Sequence, residues 1–185
     1  MKPTQELMAE HSAVLVALEL LEKVVGALAA GNQQAPEHLE HLLDFLKGFV
    51  DLCHHGKEED VLFPELETLG VKRDGGPIGV MLMEHEVGRA HVRAMSGGLA
   101  RLGRGEADAA AAIQASADAY RDLLRAHIHK ENSVLFPMAD RLVPDAVATS
   151  IAERFEAIER DRVGEGKHEA YHAMLHHLKD FYGVA

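Results

Sequence analysis

Six side chains in this 185-residue sequence have the types and spacing of metal ligands: His11, His54, Glu58, His85, His127 and Glu131. His54 and Glu58 stand four residues apart, as do His127 and Glu131, and on a helix that separation puts both members of a pair on one face. Each pair therefore offers an imidazole nitrogen and a carboxylate oxygen to a common point. Gathered in one core without compensation, four imidazoles and two carboxylates would be costly, because every buried polar group needs a partner and the two acids repel each other. Two divalent or trivalent cations supply that compensation. The reading that uses every donor puts His11 and His54 on one metal and His85 and His127 on the other, with Glu58 and Glu131 bridging them. Mixed nitrogen and carboxylate ligation suits iron, manganese or zinc, and we take iron first, with zinc or manganese as substitutes.

An internal repeat ties the six together. The stretch His54-His55-Gly56-Lys57-Glu58-Glu59-Asp60-Val61-Leu62-Phe63-Pro64 aligns with the stretch from His127 to Pro137 at seven identical positions. Glu10-His11 aligns with Glu84-His85 at nearly the same offset. Each half is thus a helix carrying Glu-His, a connection, and a helix carrying HxxKExxVLFP. A lone HxxxE is an ordinary intrahelical pair; its duplication together with the upstream Glu-His is what gives the pattern its meaning.

The elements that must position these residues are helical. Leu7, Val14, Leu15, Leu18, Leu21, Val25 and Leu28 recur at helical spacing until Ala30-Gly31-Asn32. A second helix is expected from Pro36 through Leu39, Leu46 and Val50 until Pro64 disturbs it. The segment from Gly70 to Gly79 reads as a connection, and Pro77 suits the first turn of a third helix reaching toward Leu102. A fourth follows Gly105, through the alanine-rich stretch 109–119 to Pro137. The stretches 144–162 and 168–182 read as shorter helices separated by Gly164 and Gly166. Strand signals are nearly absent, and amphipathic helices joined by short connections bury their stripes best in an antiparallel up-down four-helix bundle. We therefore expect an all-α single domain over residues 1–185, with its bundle core at about 4–140 and a C-terminal helical extension at about 144–183.

Composition narrows the functional classes. A chain of 185 residues with 47% hydrophobic and 26% charged residues has the make-up of an ordinary globular domain. A formal charge of -11 argues against nucleic acid or an anionic membrane surface as a partner. Charges such as Glu19, Glu22, Glu84 and His85 interrupt the most apolar stretches, so bundle helices are expected rather than membrane spans, and the cytoplasm is the expected location. The lone Cys53 offers neither a disulfide nor a CxxC pair.

From about residue 7 to 140 the chain resembles the hemerythrin-like HHE cation-binding family. His11, His54 with Glu58, His85, and His127 with Glu131 match its four-histidine, two-glutamate form, found also in di-iron proteins that repair damaged iron-sulfur clusters. The resemblance implies a four-helix bundle around two iron ions bridged by carboxylates and an oxo or hydroxo group. In the blood-pigment hemerythrins the third helix supplies two histidines one turn apart; here Arg89 stands one turn after His85.

Several neighbours are expected outside the ligand set. His55 has Ile128 as its repeat counterpart, so symmetry gives it no role, and Glu59, opposite Asn132, is expected to be solvated or to support a ligand. Lys57 and Lys130 are expected in surface ion pairs. Tyr120 is expected in the core near the cavity, and His168, His172, His176 and His177 on an amphipathic tail. With two histidines and two shared carboxylates per iron, both ions keep an open position. That favours redox handling of oxygen, peroxide or nitric oxide with an external electron donor. The alternative is non-enzymatic binding, sensing or storage of oxygen, iron or nitric oxide.

Overall fold

The computed structural model describes residues 2–164 and 166–184. Helix α1 is Pro3–Ala29. Helix α2 occupies residues 35–68 as one continuous rod: an α-helical start Ala35–Phe45, π-helical stretches Leu46–His55 and Glu58–Leu62, and an α-helical end Phe63–Thr68. Helix α3 is Pro77–Gly103. Helix α4, residues 109–142, repeats the form of α2, with Ala109–Lys130, a π turn Glu131–Leu135 and Phe136–Leu142. Two further helices follow: α5, Asp145–Ile158 extended by a π turn Glu159–Val163, and α6, Lys167–Tyr182.

Helices α1 to α4 form the up-down bundle, each packed on its sequence neighbour, with α4 closing on α1. Thr4 at the start of α1 donates to Asp140 near the end of α4 at 2.6 Å, as antiparallel neighbours must. No described helix is long and apolar enough to cross a membrane.

Pro64 and Pro137 were expected to end their helices, and both helices continue past them. In each case a π turn finishes just upstream, at Leu62 and Leu135, so the proline falls in the first turn of a new α segment. Its missing N–H is not needed there.

The core is divided. One cluster holds Val14 to Leu28 of α1 with Phe45, Phe49, Val92, Ile113, Tyr120 and Leu124, and is joined by Tyr171, Leu175 and Leu178 of α6. The other holds Leu7, Val61, Phe63, Leu66, Ile78, Met81, Leu135 and Phe136, and is joined by Ile151 and Phe155 of α5. Every bundle helix crosses from one cluster to the other through a short buried polar stretch at His11, His54 to Glu58, His85, and His127 to Glu131.

The C-terminal helices dock on α2 where it lacks side chains. A β-carbon at Gly48 would lie 2.0 Å from the Tyr171 hydroxyl, and one at Gly56 2.7 Å from the Arg162 guanidinium. The hydroxyl of Tyr171 donates to the Asp44 carbonyl at 3.3 Å, and Arg162 pairs with Asp60 at 2.5 Å.

Candidate metal centre

The six expected ligands meet in one buried layer, where together with His55 they make up two overlapping donor groups. His11, His54, Glu58 and Glu131 form one, and His55, Glu58, His85 and His127 the other. The Nε2 atoms of His11 and His54 lie 3.1 Å apart, as do those of His85 and His127. Two nitrogens each about 2.1 Å from a shared ion at right angles would stand about 3 Å apart, so each histidine pair has the spacing of two donors to one ion.

The carboxylates span the groups. One oxygen of Glu58 lies 3.8 Å from His54 Nε2 and the other 3.4 Å from His85 Nε2. Glu131 reaches His11 at 3.1 Å with one oxygen and His127 at 3.3 Å with the other. All four oxygens are buried and, among the described residues, none has a hydrogen-bond partner. Unpartnered buried carboxylate oxygens are expensive. Burial, reinforced by the charge of Glu131, pushes Glu58 well above the usual carboxylate range. Burial acts the same way on Glu131, but the imidazoles of His11 and His127 outweigh it and hold that carboxyl well below its usual range. The pair cannot hold two negative charges by itself, and bridging cations remove both the repulsion and the unpaired lone pairs. The donor set therefore fits two metal ions.

A ring of supporting groups turns the histidines inward. The Nδ1 of His54 meets Glu10 at 2.7 Å, that of His127 meets Glu84 at 2.9 Å, that of His85 meets Glu59 at 2.6 Å, and that of His11 meets Asn132 at 2.9 Å. Fixing Nδ1 leaves Nε2 to face the site, which is the usual orienting role of a carboxylate behind a ligating histidine. The pattern follows the repeat: each Glu-His glutamate holds the other histidine of its own half, while Glu59 and Asn132 hold a histidine of the opposite half. Glu59 thus stands behind His85 rather than free in solvent. The support role of Glu10 and Glu84 was missed, although their place in the duplicated Glu-His was its signal.

Lys57 is not a surface residue. It is 1% exposed, enclosed by Glu10 at 2.5 Å, Glu6 at 2.7 Å and Glu159 of α5 at 3.4 Å. Burial works against its charge, but Glu10 and its other anionic neighbours hold its pKa above the usual value. Lys130, its repeat counterpart, pairs with Glu84 and is 39% exposed, in keeping with the expected surface pair.

His55 is the second departure. It is buried, its ring stacks on that of His85 at 3.8 Å, and it belongs to the second donor group. In an α-helix the adjacent His54 and His55 would diverge by about 100°. Both stand at the end of the π stretch Leu46–His55, whose wider turn lessens that divergence and lets both reach the layer. Arg89 does not enter the layer; it binds Asp51 at 2.7 Å, Glu59 at 2.6 Å and Glu86 at 2.7 Å. Tyr120 is buried and lines a cleft beside His55. Neither donor group includes the tail histidines; His168 and His172 pack edge to face at 4.9 Å, and His168 faces Glu159. Cys53 is buried and its thiol is pushed up to about 12 by desolvation, which suits a packed side chain rather than a reactive one.

Residues 2–139 match the family described as hemerythrin HHE cation binding domain. Over 164 residues the chain is 27% identical to uncharacterized proteins of Mycobacterium tuberculosis and Mycobacterium bovis, an overlap covering 87% of this chain. It spans 62% of the length of those relatives.

Proposed function

The chain belongs to the hemerythrin HHE cation binding domain family, and from that premise we propose that it is a cytoplasmic di-iron protein that binds oxygen, nitric oxide or peroxide. His11 and His54 would hold one ion and His85 and His127 the other, with Glu58 and Glu131 serving both. The observation that carries this reading is the placing of the two carboxylates, each with one oxygen toward each histidine pair and no other partner. Bound iron supplies a Lewis-acidic, one-electron centre for small ligands. The chain's own groups do the rest: Glu10, Glu59, Glu84 and Asn132 fix the imidazole orientations, and the two apolar clusters keep bulk water from the layer.

His55 decides between binding and turnover. With four histidines the two ions would be equivalent and both open, which favours redox turnover. With His55 as a fifth donor the set becomes three nitrogens against two, leaving one ion more open than the other. That inequality favours one-ended, reversible binding, as in a carrier or sensor. Redox turnover with an external donor is the second reading, and the cleft that reaches His55 speaks for it.

Iron quantification on protein loaded under reducing conditions tests the centre: two ions per chain with antiferromagnetic coupling are expected, and a ceiling of one refutes the pair. Repeated cycles of oxygenation and deoxygenation with a fully recovered spectrum support binding. Sustained consumption of peroxide with a reductant present supports turnover instead.

A further inference from the structure

The cleft beside the metal layer holds about 210 Å³ between α2 and α3, with Tyr120 of α4 also lining it. Leu46, Gly88, Val92 and Tyr120 give it apolar walls, and Lys47, Asp51, Arg89 and Arg93 add charge. It reaches His55. Arg89 is occupied by three carboxylates, whereas neither Lys47 nor Arg93 has an ion-pair partner among the described residues. Two free cations favour an anion over a neutral or cationic guest.

His55 is also the one histidine of the layer without a firm support. The other four have Nδ1 partners at 2.6 to 2.9 Å. Among the described residues the Nδ1 of His55 has no hydrogen-bond partner; Asp51 stands 3.5 Å away and already accepts from Arg89 at 2.7 Å. Supporting groups behind a ligating histidine set both its orientation and the strength of its hold. A histidine lacking one, beside open volume, is the side chain that can turn away with least disruption.

We propose that His55 is an exchangeable donor, which swings toward the cleft and gives up its place to a small inorganic anion entering past Lys47 and Arg93. The proposal rests on the di-iron reading above. It turns the fifth histidine from a fixed ligand into a gate, and it gives the His85–His127 side a point of anion entry of its own, besides the more open His11–His54 side.

Azide is the probe, followed by stopped-flow absorbance on the diferric protein after its iron content has been measured. In the unmodified protein azide should reach the more open His11–His54 ion in a phase linear in azide, and the His85–His127 ion in a second phase whose rate rises and then levels off, because departure of His55 becomes limiting. His55→Ala should retain two irons and lose the plateau, with a rate at high azide at least about tenfold greater. Val92→Phe, which narrows the cleft without touching a donor, should slow azide entry about tenfold at unchanged iron content. Lys47→Glu combined with Arg93→Glu should slow entry at low ionic strength and much less in high salt. Absence of the levelling phase in the unmodified protein, or loss of an iron in His55→Ala, overturns the exchange. An unchanged rate in Val92→Phe overturns the route, and an unchanged rate in the double charge reversal overturns the preference for anions. Fewer than two irons in the unmodified protein refutes the di-iron reading and this proposal together, whereas two irons with no plateau refutes this proposal alone.

Discussion

Lys57 and Lys130 occupy the same position in the two halves of the repeat, yet only Lys57 is sealed inside the protein. Removing one partner of a buried pair strands the other charge, and such losses run to about 3–5 kcal/mol, whereas an exposed pair contributes about 1 kcal/mol or less. Lys57→Met should therefore destabilise the protein by roughly 3 kcal/mol and Lys130→Met by under about 1 kcal/mol, a contrast that urea denaturation of the two variants will measure. Equal losses would mean that Glu10 finds another counter-charge. On the proposed di-iron reading, Glu58→Gln keeps the shape but replaces one of the two oxygens by an amide nitrogen, so magnetic coupling between the ions should weaken sharply or one ion be lost, as magnetic susceptibility will report. The duplicated motif made the six residues that meet in the layer legible, because each has a counterpart in the other half. His55 was not, since its counterpart is Ile128 and its reach comes from the widened turn of the helix. Burial of Lys57 was equally hidden, since it takes Glu159, about a hundred residues away in sequence, to help enclose it.

Helix positions were readable from hydrophobic spacing, and the π turns were not, because spacing reports which face is apolar and not how wide each turn is. The two VLFP sequences mark where those turns end, and each proline serves there as a fresh helix start rather than a stop. The C-terminal pair of helices was legible as helix, but its seat was not: Gly48 and Gly56 look like weak points in α2 until Tyr171 and Arg162 are laid against them. Gly48→Ala should lift Tyr171 from its place and cost about 1–3 kcal/mol, the usual range for overpacking. Tyr171→Phe removes the clashing hydroxyl, so combining the two changes should recover part of the loss, and a double-mutant cycle by urea denaturation will show it as a favourable coupling. Strict additivity would mean that α6 does not rest on this contact.

Across the whole molecule, the donor layer lies between two apolar clusters of unequal size. Metal that binds only the folded layer stabilises it by mass action, about 4 kcal/mol at a thousandfold excess over Kd. Chelated protein should melt well below the iron-loaded form at equal pH, and coincident calorimetric transitions with verified iron content would reject that. The layer also governs how the two clusters fail. Every bundle helix passes through it, so with the ions in place neither cluster can open without breaking bonds shared with the other. Without them, the seam is a band of buried carboxylate oxygens lacking hydrogen-bond partners among the described residues, and the smaller cluster, formed by Leu7, residues 61–81, residues 135–139 and α5, meets the larger one across that costly layer. Loss of metal would then divide one cooperative unit into two foldons. Amide hydrogen exchange on the chelated protein should show 61–81 and 135–158 exchanging together at a free energy well below that of residues 14–28 and 113–124, and a single shared opening energy would show the bundle to be cooperative without its ions. On the proposed reading, metal content sets which cluster a protease meets first: metal-free protein should be cut first within 61–81 and 135–158, and the loaded protein should stay whole.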